Sequence, residues 1–498
     1  MPASGQSRLA DRDHVLAALR DTRAAVLGVG ISNVAVIECL LRAGAQVTAA
    51  DRKTATELGD RYRALSELPV RLVLGPGYLG ALEGQDIAFL TPGMRRDLPE
   101  LEQARQAGVR FSTEMRLFFE LCAAPIVAIT GSAGKTTTTT LAGLMLERSR
   151  PGVWVGGNIG RPLVARALDI AADDIAVLEL SSFQLQDLGA SPHVGAVLNV
   201  SPNHLDIHPT MEHYIDAKRT IYRHQVAGDF AVFNHDNETT RAMAGDYDRM
   251  MRAGQGGGTA VLYSRRHELG EGAFLRGGRL QLRLGGFGAG LPDAEICGRD
   301  EIKLLGEHNV ENVLAASAIA GLAGAGVEAI REVARTFRGV EHRLEPVREI
   351  GGVRYYNDSI ATAPDRTAAA LQALAGPLVL ILGGYDKKIG FEQLAAELLA
   401  CGKVRTVLLM GATADNIERA LLNEVARRRA AGLAPGLPEM IRAQGDLADV
   451  VQLASRHAHP GDTVLLSPAC ASFDMFANFE ERGRSFKELV RGLPDRGV

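Results

Sequence analysis

The sequence contains few cysteines, and they are not clustered. Five are spread along 498 residues, and they are Cys39, Cys122, Cys297, Cys401 and Cys470. No Cys-x-x-Cys pair occurs, so neither a zinc module nor a disulfide framework is indicated. Scattered cysteines of this kind are typical of a protein that works in a reducing cytoplasm, and we expect that location.

The chain also lacks an excess of positive charge and any long apolar run. Lys and Arg total 55 against 59 Asp and Glu, a net charge of −4. Nucleic-acid binding usually requires a basic excess, so we expect no nucleic-acid partner. The longest uncharged stretch, residues 313–327, is shorter than the about 20 apolar residues that span a membrane, and it predicts a buried helix. Because residues between Arg8 and Asp13 are charged, we expect no ordinary secretory signal.

The length predicts more than one domain. At 498 residues the chain is about three times as long as a typical domain. Hydrophobic residues make up 46% and charged residues 23%, which is ordinary for a globular protein. We therefore expect roughly three domains, each with its own core.

The N-terminal segment alternates short apolar runs with amphipathic stretches. Residues 24–28, 35–43 and 46–51 predict strand, helix and strand, the βαβ unit of a parallel α/β sheet. The turn from Gly28 to Asn33 is an incomplete dinucleotide fingerprint, since Asn33 stands where the third glycine would be. An NAD site, a site for another nucleotide and a tight structural turn are the alternatives at this point.

A second strand-turn-helix pattern, residues 125–148, contains a shortened P-loop that lacks the first glycine of the full motif. The loop reads Gly131, Ser132, Ala133, Gly134, Lys135, Thr136 and Thr137. In such loops the backbone amides surround phosphate oxygens, the lysine supplies charge, and the following hydroxyl can ligate Mg²⁺. The flanking strand and helix predict nucleotide binding, with a chance glycine turn as the alternative.

Polar residues end two later apolar runs of the same segment. Glu179 follows residues 176–178, and His204 lies in the loop after residues 196–200. Both could supply metal ligands for a P-loop nucleotide, while an ordinary polar loop residue is the alternative for His204. The glycine-rich region 253–290 predicts an irregular surface with short hairpins and no chemistry.

The last part of the chain returns to alternation. Apolar runs at residues 377–382, 404–410 and 463–466 each end in glycine or in a Ser-Pro pair. Strands that end in this way predict a ligand crevice at their carboxyl ends.

Taken together and in order, motifs along the chain resemble the Mur ligase family. They are residues 131–137, 156–160, 179–185, 203–206, 216–218, 306–312, 341–343, 357–359 and 467–474. The resemblance implies three α/β domains. They are a Rossmann-like domain for the uridine end of the substrate (1–112), a central P-loop ATPase domain (113–341), and a Rossmann-like domain that binds glutamate and closes over ATP (342–498).

The resemblance also implies an activity. The branch of the family that these motifs match joins D-glutamate to UDP-N-acetylmuramoyl-L-alanine through an acyl phosphate, in cytoplasmic peptidoglycan precursor synthesis. It implies ATP, two Mg²⁺ ions and small-molecule substrates, in a monomer that is not embedded in a membrane. Ile360, Ala363, Tyr385 and Asp386 depart from the common pattern, so a ligase that adds L-glutamate is one alternative. A folylpolyglutamate synthetase-like ligase and a non-enzymatic nucleotide switch are the others.

Site residues follow from the same resemblance. The UDP-substrate side comprises Ile31, Ser32, Asp51, Arg52, Asn158 and Ser181. The ATP side adds Asn309, Asn312, Arg343 and Asp358 to the P-loop. The glutamate side comprises Thr362, Lys387, Ser472 and Phe479, of which Lys387 can pair with a carboxylate. The catalytic and metal-binding residues are Lys135, Thr136, Glu179, His204 and Lys218.

Lys218 illustrates what the residues alone leave open. An ammonium group near Mg²⁺ would be repelled, so Lys218 by itself predicts a surface position on an amphipathic helix. The resemblance implies instead that CO₂ carbamylates this lysine. Carbamylation would turn the cation into an anionic oxygen ligand for a second Mg²⁺.

Overall fold

The protein is described by a computed structural model, which covers residues 4–91, 93–201, 210–254, 256–288, 290–304, 306–387, 389–433 and 436–495. The chain divides into two compact units, Met1–Phe337 and Arg338–Val498. Two sheets lie in the first unit and one in the second. Within the described part, no helix is both long and apolar enough to cross a bilayer, and the cysteines form no disulfide.

The N-terminal sheet is a parallel, doubly wound sheet, as its alternating pattern predicts. Its order is β3-β2-β1-β4-β5, so the winding reverses between β1 and β4 and a crevice opens at their carboxyl ends. The strands are β1 (Arg23–Leu27), β2 (Gln46–Asp51), β3 (Arg71–Leu74), β4 (Ile87–Leu90) and β5 (Arg110–Ser112). The helices are α1 (Ser4–Leu19), α2 (Ile31–Arg42), α3 (Ala55–Leu58), α4 (Asp60–Ser66), α5 (Pro99–Gln106) and α6 (Glu114–Leu121), with a 3₁₀ turn at Tyr78–Leu82.

The central sheet has nine strands in the order β14-β13-β12-β11-β10-β9-β6-β8-β7. The strands are β6 (Ile126–Thr130), β7 (Val153–Gly157), β8 (Ile175–Glu179), β9 (Val194–Val197), β10 (Phe230–Asn234), β11 (Thr259–Ser264), β12 (Gly272–Arg276), β13 (Arg279–Arg283) and β14 (Ala294–Gly298). The helices are α7 (Lys135–Glu147), α8 (Ser182–Gln186), α9 (Met211–Arg223), α10 (Glu238–Arg252), α11 (Glu307–Leu322) and α12 (Val327–Thr336), with 3₁₀ turns at Leu163–Asp169, Gly285–Phe287 and Arg299–Glu301.

The glycine-rich region continues the central sheet. Strands β12 and β13 pair through the two-residue turn Gly277–Gly278, whose residues both have positive φ, and β14 pairs antiparallel with β13. The predicted hairpin is therefore present, but the region is more regular than an irregular surface loop. Its side chains Leu280, Leu282 and Ile296 are buried in the central core, which explains the regularity.

Helix α11 forms much of the core beside the P-loop helix. It packs against α7, and its residues from Val313 to Leu322 are all buried. The prediction of a buried helix for residues 313–327 is confirmed as far as Leu322, where α11 ends and a turn leads into α12. The N-terminal and central sheets are joined within their unit by two ion pairs, Arg42 to Asp169 at 2.6 Å and Arg96 to Asp187 at 2.7 Å.

The C-terminal unit contains a six-stranded sheet in the order β15-β16-β20-β17-β18-β19, antiparallel only between β15 and β16. The strands are β15 (Glu345–Ile350), β16 (Val353–Asn357), β17 (Leu378–Gly383), β18 (Val404–Met410), β19 (Glu439–Arg442) and β20 (Thr463–Leu466). The strands predicted at residues 377–382, 404–410 and 463–466 are confirmed as β17, β18 and β20, whereas β15, β16 and β19 are not among the predicted strands. The helices are α13 (Pro364–Ala373), α14 (Glu392–Cys401), α15 (Ala414–Ala430), α16 (Leu447–His457) and α17 (Phe479–Arg491).

A buried arginine holds the carboxyl ends of β16 and β20 together. Arg482 of α17 is 1% exposed. Its guanidinium donates to the Ser359 hydroxyl at 2.9 Å and to the Ser359 carbonyl at 2.8 Å. It also donates to the carbonyls of Cys470 at 3.0 Å and Ala471 at 3.2 Å. A planar fork with several donors suits this role better than the single ammonium of lysine.

We expect Arg482→Lys to lower the free energy of unfolding by about 2–4 kcal/mol, because buried carbonyls lose their donors. Urea denaturation followed by circular dichroism measures the change. Arg484→Lys, at an exposed position of the same helix, is the control and should change stability by less than about 0.5 kcal/mol. Equal effects of the two substitutions would contradict this assignment.

Candidate active site

The P-loop connects β6 to α7, as predicted. Gly134 has φ of 82°, a left-handed conformation that favours glycine, and a Cβ there would collide with the Asn312 side chain. The Lys135 ammonium donates to the Gly131 carbonyl at 3.1 Å. Helix α7 begins at Lys135, so its first backbone amides face the loop and form the kind of site that binds phosphate.

The segment after β9 supports this loop from one side. The Ala133 amide donates to the Asn199 side-chain oxygen at 2.8 Å, and the Asn199 amide donates to the Ala133 carbonyl at 3.0 Å. The Ser132 hydroxyl exchanges hydrogen bonds of 3.1 and 3.0 Å with the backbone of Ser201. Asn199 is not among the residues predicted from the sequence, since it lies 66 residues from its partner Ala133.

Glu179 links the P-loop to the neighbouring strands. It ends β8 and is 2% exposed. The Thr136 hydroxyl donates to its Oε2 at 2.8 Å, and the Asn158 amide donates to its Oε1 at 2.9 Å. A Cβ at Gly157 would collide with the Glu179 carbonyl oxygen, so glycine is needed where β7 approaches. The structure therefore brings Thr136, Asn158 and Glu179 together.

Ser181 follows two residues later and caps α8. Its hydroxyl accepts a hydrogen bond from the Gln184 amide at 3.3 Å, and the Gln184 side chain accepts one from the Ser181 amide at 3.0 Å. This capping box fixes Ser181 at the start of α8, two residues after the buried carboxylate of Glu179. Ser181 is one of the residues predicted for the UDP-substrate side.

The donor set around Glu179 fits a hard cation. A buried carboxylate and the Thr136 hydroxyl are oxygen ligands of the kind that Mg²⁺ prefers. His204, the other predicted ligand near the loop, lies in the 202–209 segment, outside the described residues. Thr136 and Glu179 are therefore the predicted ligands that the structure places together.

Lys218 is not on the surface, contrary to what the residue alone predicted. It is 1% exposed on the inner face of α9, and its ammonium donates to the Thr130 hydroxyl at 3.3 Å. The ammonium lies 4.4 Å from the centre of the Tyr214 ring. Burial, together with the charge of Lys135, lowers the pKa of Lys218 to about 7. A large share of this amine is therefore neutral at physiological pH.

Asn309 and Asn312 lie together at the start of α11. The Asn312 amide donates to the Asn309 side-chain oxygen at 2.9 Å. The Thr138 hydroxyl of the P-loop helix donates to the Asn312 side-chain oxygen at 3.3 Å. Asn312 is buried behind Gly134, so it also supports the loop.

The turn after β1 lies at the crevice of the N-terminal sheet. The Val29 amide donates to Asp51 Oδ2 at 2.8 Å, which joins the turn to the end of β2. The side-chain amide of Asn33 donates to the carbonyls of Leu27 at 2.9 Å and Gly28 at 2.7 Å. Asn33 therefore braces the turn at the position where a third glycine would stand.

The four residues predicted for uridine lie at the carboxyl ends of β1 and β2. They are Ile31, Ser32, Asp51 and Arg52. Ile31 is 71% exposed although it is apolar, at the first position of α2. An exposed apolar side chain at such a crevice is suited to contact a flat ring.

Glu114 is a buried carboxyl beside this turn that sequence analysis missed. It lies at the first position of α6, close to the Ser32 hydroxyl. Burial raises the pKa of Glu114 to about 7, and the Ser32 hydroxyl opposes the increase. The local sequence carries no sign of this burial, which depends on packing between α6 and α2.

In the C-terminal unit, Asp358 lies at the end of β16 and is buried. The Ser467 hydroxyl donates to its Oδ2 at 2.7 Å, and the Leu344 amide donates to its Oδ1 at 3.1 Å. Burial raises the pKa of Asp358 to about 6, and the nearby Arg343 charge opposes the increase. The residues on both sides of Arg343, His342 and Leu344, have positive φ, which holds this turn in an uncommon conformation.

Three of the four residues predicted to bind glutamate follow the parallel strands β16, β17 and β20. The Lys387 ammonium donates to the Thr362 carbonyl at 3.0 Å, and burial with the Arg366 charge lowers the pKa of Lys387. Ser472 is buried and follows Ala471, whose carbonyl accepts a hydrogen bond from the backbone of the β17 loop.

Phe479, the fourth residue predicted to bind glutamate, begins α17. Its ring meets His342 edge to face at 6.1 Å, and its carbonyl accepts a hydrogen bond from the Ser359 hydroxyl at 2.8 Å. The structure thus places it beside His342.

A P-loop followed by a buried glutamate on the neighbouring strand, in a parallel sheet, defines a nucleotide-binding α/β protein. Three family models match successive parts of the chain. They are the Mur ligase MurD-like N-terminal domain at residues 22–112, the Mur ligase middle domain at 129–320, and the Mur ligase glutamate ligase domain at 342–470. The chain belongs to the Mur ligase family and is an ATP-dependent ligase that forms an amide bond.

Similar proteins agree with this assignment. The UDP-N-acetylmuramoylalanine–D-glutamate ligase of Symbiobacterium thermophilum is 50% identical over 473 residues, which is 95% of this chain and 98% of that protein. The enzyme of the same name from Acetivibrio thermocellus is 45% identical over 475 residues, which is 95% of this chain and 97% of that protein.

A solved structure shows the same fold at lower identity. The UDP-N-acetylmuramate-alanine ligase of Thermotoga maritima has a TM-score of 0.52 and 19% identity, and the comparison covers 94% of this chain and 99% of that chain.

The burial of Glu114 makes stability depend on pH. Its folded pKa of about 7 exceeds the ordinary value of 4.5. The protonated carboxyl therefore contributes stability that is complete below pH 4.5 and lost as pH rises through 7. We expect Glu114→Gln, which stays neutral, to leave stability nearly unchanged at pH 4 and to raise it by about 3 kcal/mol at pH 8.5.

Urea unfolding at the two pH values measures this difference. Glu120→Gln, at an exposed position of the same helix, is the matched control and should show little change at either pH. A gain for Glu114→Gln that is the same at both pH values would contradict the burial argument.

Proposed function

We propose that this ligase joins D-glutamate to UDP-N-acetylmuramoyl-L-alanine at the expense of ATP. The observation that carries the proposal is the 50% identity, over almost the full length of both chains, to a ligase named for D-glutamate. The substrates are small and the reaction consumes ATP. We place this reaction in the cytoplasm, in peptidoglycan precursor synthesis, as the family resemblance implies, and we expect the enzyme to be a monomer.

Each substrate is assigned to one domain. Residues 1–112 bind the UDP end in the crevice between β1 and β4, where the strand order reverses. Residues 113–341 bind ATP at the P-loop, and residues 342–498 bind glutamate at the carboxyl ends of their parallel strands. Asn158 and Ser181 hold the sugar-peptide portion near the γ-phosphate, and Arg343 and Asp358 engage the nucleotide.

In the first step the alanyl carboxylate attacks the γ-phosphorus in line, and ADP leaves as the acyl phosphate forms. Lys135 and the amides at the start of α7 stabilise the charge that spreads over the transferring phosphoryl group. Mg²⁺, when held by Thr136 and Glu179, supplies further positive charge to the phosphate oxygens. Glu179 is oriented for this by the hydrogen bonds from Thr136 and Asn158.

In the second step the neutral amine of glutamate attacks the acyl carbon. The tetrahedral intermediate then expels inorganic phosphate, and the amine nitrogen loses its proton as the amide forms. Lys387 pairs with a carboxylate of the incoming amino acid, which selects glutamate over uncharged amino acids. The acyl phosphate must be protected from water until the amine arrives.

Lys218 is proposed to act as a carbamate. The neutral amine attacks CO₂, its nitrogen loses a proton, and an anionic carbamate forms. The lowered pKa of Lys218 supports this, because only the neutral amine has a lone pair to react. The carbamate would provide oxygen ligands for a second Mg²⁺ beside the P-loop, and His204 would complete the metal ligands.

We expect Lys218→Ala to lose at least about 100-fold in activity, because a metal ligand is removed. Short carboxylic acids such as acetate should restore part of it by supplying an oxygen ligand in the vacated space. ADP formation in the presence of all substrates measures both effects. Lys303→Ala, at an exposed position of the same unit, is the control. Full activity of Lys218→Ala without added acid would contradict the carbamate.

Substrate choice is tested with purified full-length protein, ATP and UDP-N-acetylmuramoyl-L-alanine. We expect phosphate release with D-glutamate and none above background with L-glutamate. Lys387→Ala should raise KM for glutamate more than tenfold and leave KM for ATP unchanged, because one ion pair is lost.

Turnover with L-glutamate alone would overturn the stereochemical assignment. Glutamate addition to a folate acceptor in place of the UDP-substrate would favour the folylpolyglutamate synthetase-like alternative. ATP hydrolysis that does not respond to glutamate would favour a nucleotide switch.

A further inference from the structure

Two histidines and an aspartate lie close together at the carboxyl ends of two strands of the central sheet. The proposed reaction uses none of them. His235 and Asp236 follow β10, and His267 follows β11. Strands β10 and β11 are adjacent and parallel, so their carboxyl ends lie side by side. We call His235, Asp236 and His267 the histidine cluster.

The ligand atoms of the histidine cluster are close together. One ligand atom from each of the three residues lies within 4.8 Å of the other two. Asp236 Oδ1 lies 3.0 Å from His267 Nδ1, and the two imidazole rings are 4.9 Å apart at 71°. In the part of the chain that the structure describes, His235 Nδ1 is buried and has no hydrogen-bond partner. A buried nitrogen of this kind normally has a partner.

The carboxylate of the cluster is held in place by its surroundings. The Asp236 side chain is 4% exposed. Its Oδ2 accepts hydrogen bonds from the amides of Arg265 at 2.7 Å and Arg266 at 3.2 Å, and its Oδ1 accepts one from the Ser264 hydroxyl at 2.6 Å. Such outer contacts orient a carboxylate and increase metal affinity.

The charges near the cluster permit a bound cation. Arg265 is already paired with Glu307 at 3.1 Å and Glu311 at 3.0 Å.

We propose that His235, Asp236 and His267 form a binding site for a divalent transition-metal cation of the Zn²⁺ type. Imidazole nitrogens with one carboxylate suit Zn²⁺, Co²⁺ or Ni²⁺, and they do not suit Mg²⁺. A bound metal would replace the contact between His267 and Asp236, with metal–ligand distances of about 2.0–2.2 Å. Water completes the coordination.

A second group of two carboxylates and a histidine differs from the histidine cluster, because a lysine already neutralises its charge. Glu341, His342 and Glu345 also come close together. There, however, the Lys487 ammonium bonds to both carboxylates and already supplies the positive charge. The described contacts of the histidine cluster contain no such lysine.

A metal in the cluster would also brace a loop next to the P-loop support. Asn237 follows Asp236, and its side chain exchanges hydrogen bonds of 3.3 and 3.4 Å with the backbone of Val200. Val200 lies one residue after Asn199, which holds the P-loop. Thermal stability should therefore rise when the site is filled.

The test is calorimetric titration of the tag-free full-length protein with ZnCl₂, in excess Mg²⁺ and without nucleotide. We expect His267→Gln and His235→Gln each to bind one equivalent fewer than the wild type, or to bind it at least about tenfold more weakly. Co²⁺ titration should give visible absorption bands in the wild type that both variants lose. Zn²⁺ should raise the melting temperature of the wild type more than that of the variants.

His457→Gln is the matched control, because His457 also faces a carboxylate, Glu439 at 3.2 Å. It should bind as the wild type does. His267 is exposed, so His267→Gln should fold normally and carries the test if His235→Gln does not. Equal Zn²⁺ uptake by the wild type and His267→Gln would overturn the proposal. None of these measurements uses ligase activity, so the test of the metal site is independent of the proposed function.

Discussion

The hydrogen bond from Thr136 to Glu179 is the interaction on which the central domain depends. It joins the first turn of the P-loop helix to the end of a neighbouring strand and buries a carboxylate between them. Two glycines make this possible, since a side chain at Gly134 or Gly157 would collide with its neighbours. Parallel strands bring their carboxyl ends to one edge, so the P-loop and the oxygen ligands proposed for Mg²⁺ lie side by side.

Burial then changes the chemistry of ordinary side chains. Burial lowers the pKa of Lys218, which makes it a weaker base than an exposed lysine. Burial also raises the pKa values of Glu114 and Asp358, which makes them weaker acids than exposed carboxyl groups. In an enzyme that handles anionic substrates, such shifts decide which groups are charged at neutral pH. The overall charge of −4 says nothing about them, because each shift is set within a few ångströms.

Much of the architecture was predictable because it depends on local patterns. Alternating apolar runs, the glycines of the turns and the polar residues that end strands mark a parallel α/β sheet within short windows of sequence. The supporting residues were not predictable in this way. Asn199 and Arg482 make their contacts to segments that are distant in sequence, and no local pattern distinguishes them from surface residues.

The sequence by itself determined the order of the three domains, the P-loop and the family. Each of these is carried by residues adjacent in the chain, whose turn and strand preferences act locally. Only the tertiary structure decided that Lys218 is buried, that Asn33 braces the turn after β1, and that His235 lies beside His267. The physical reason is that burial and close approach are set by which strands become neighbours, a property of the whole sheet.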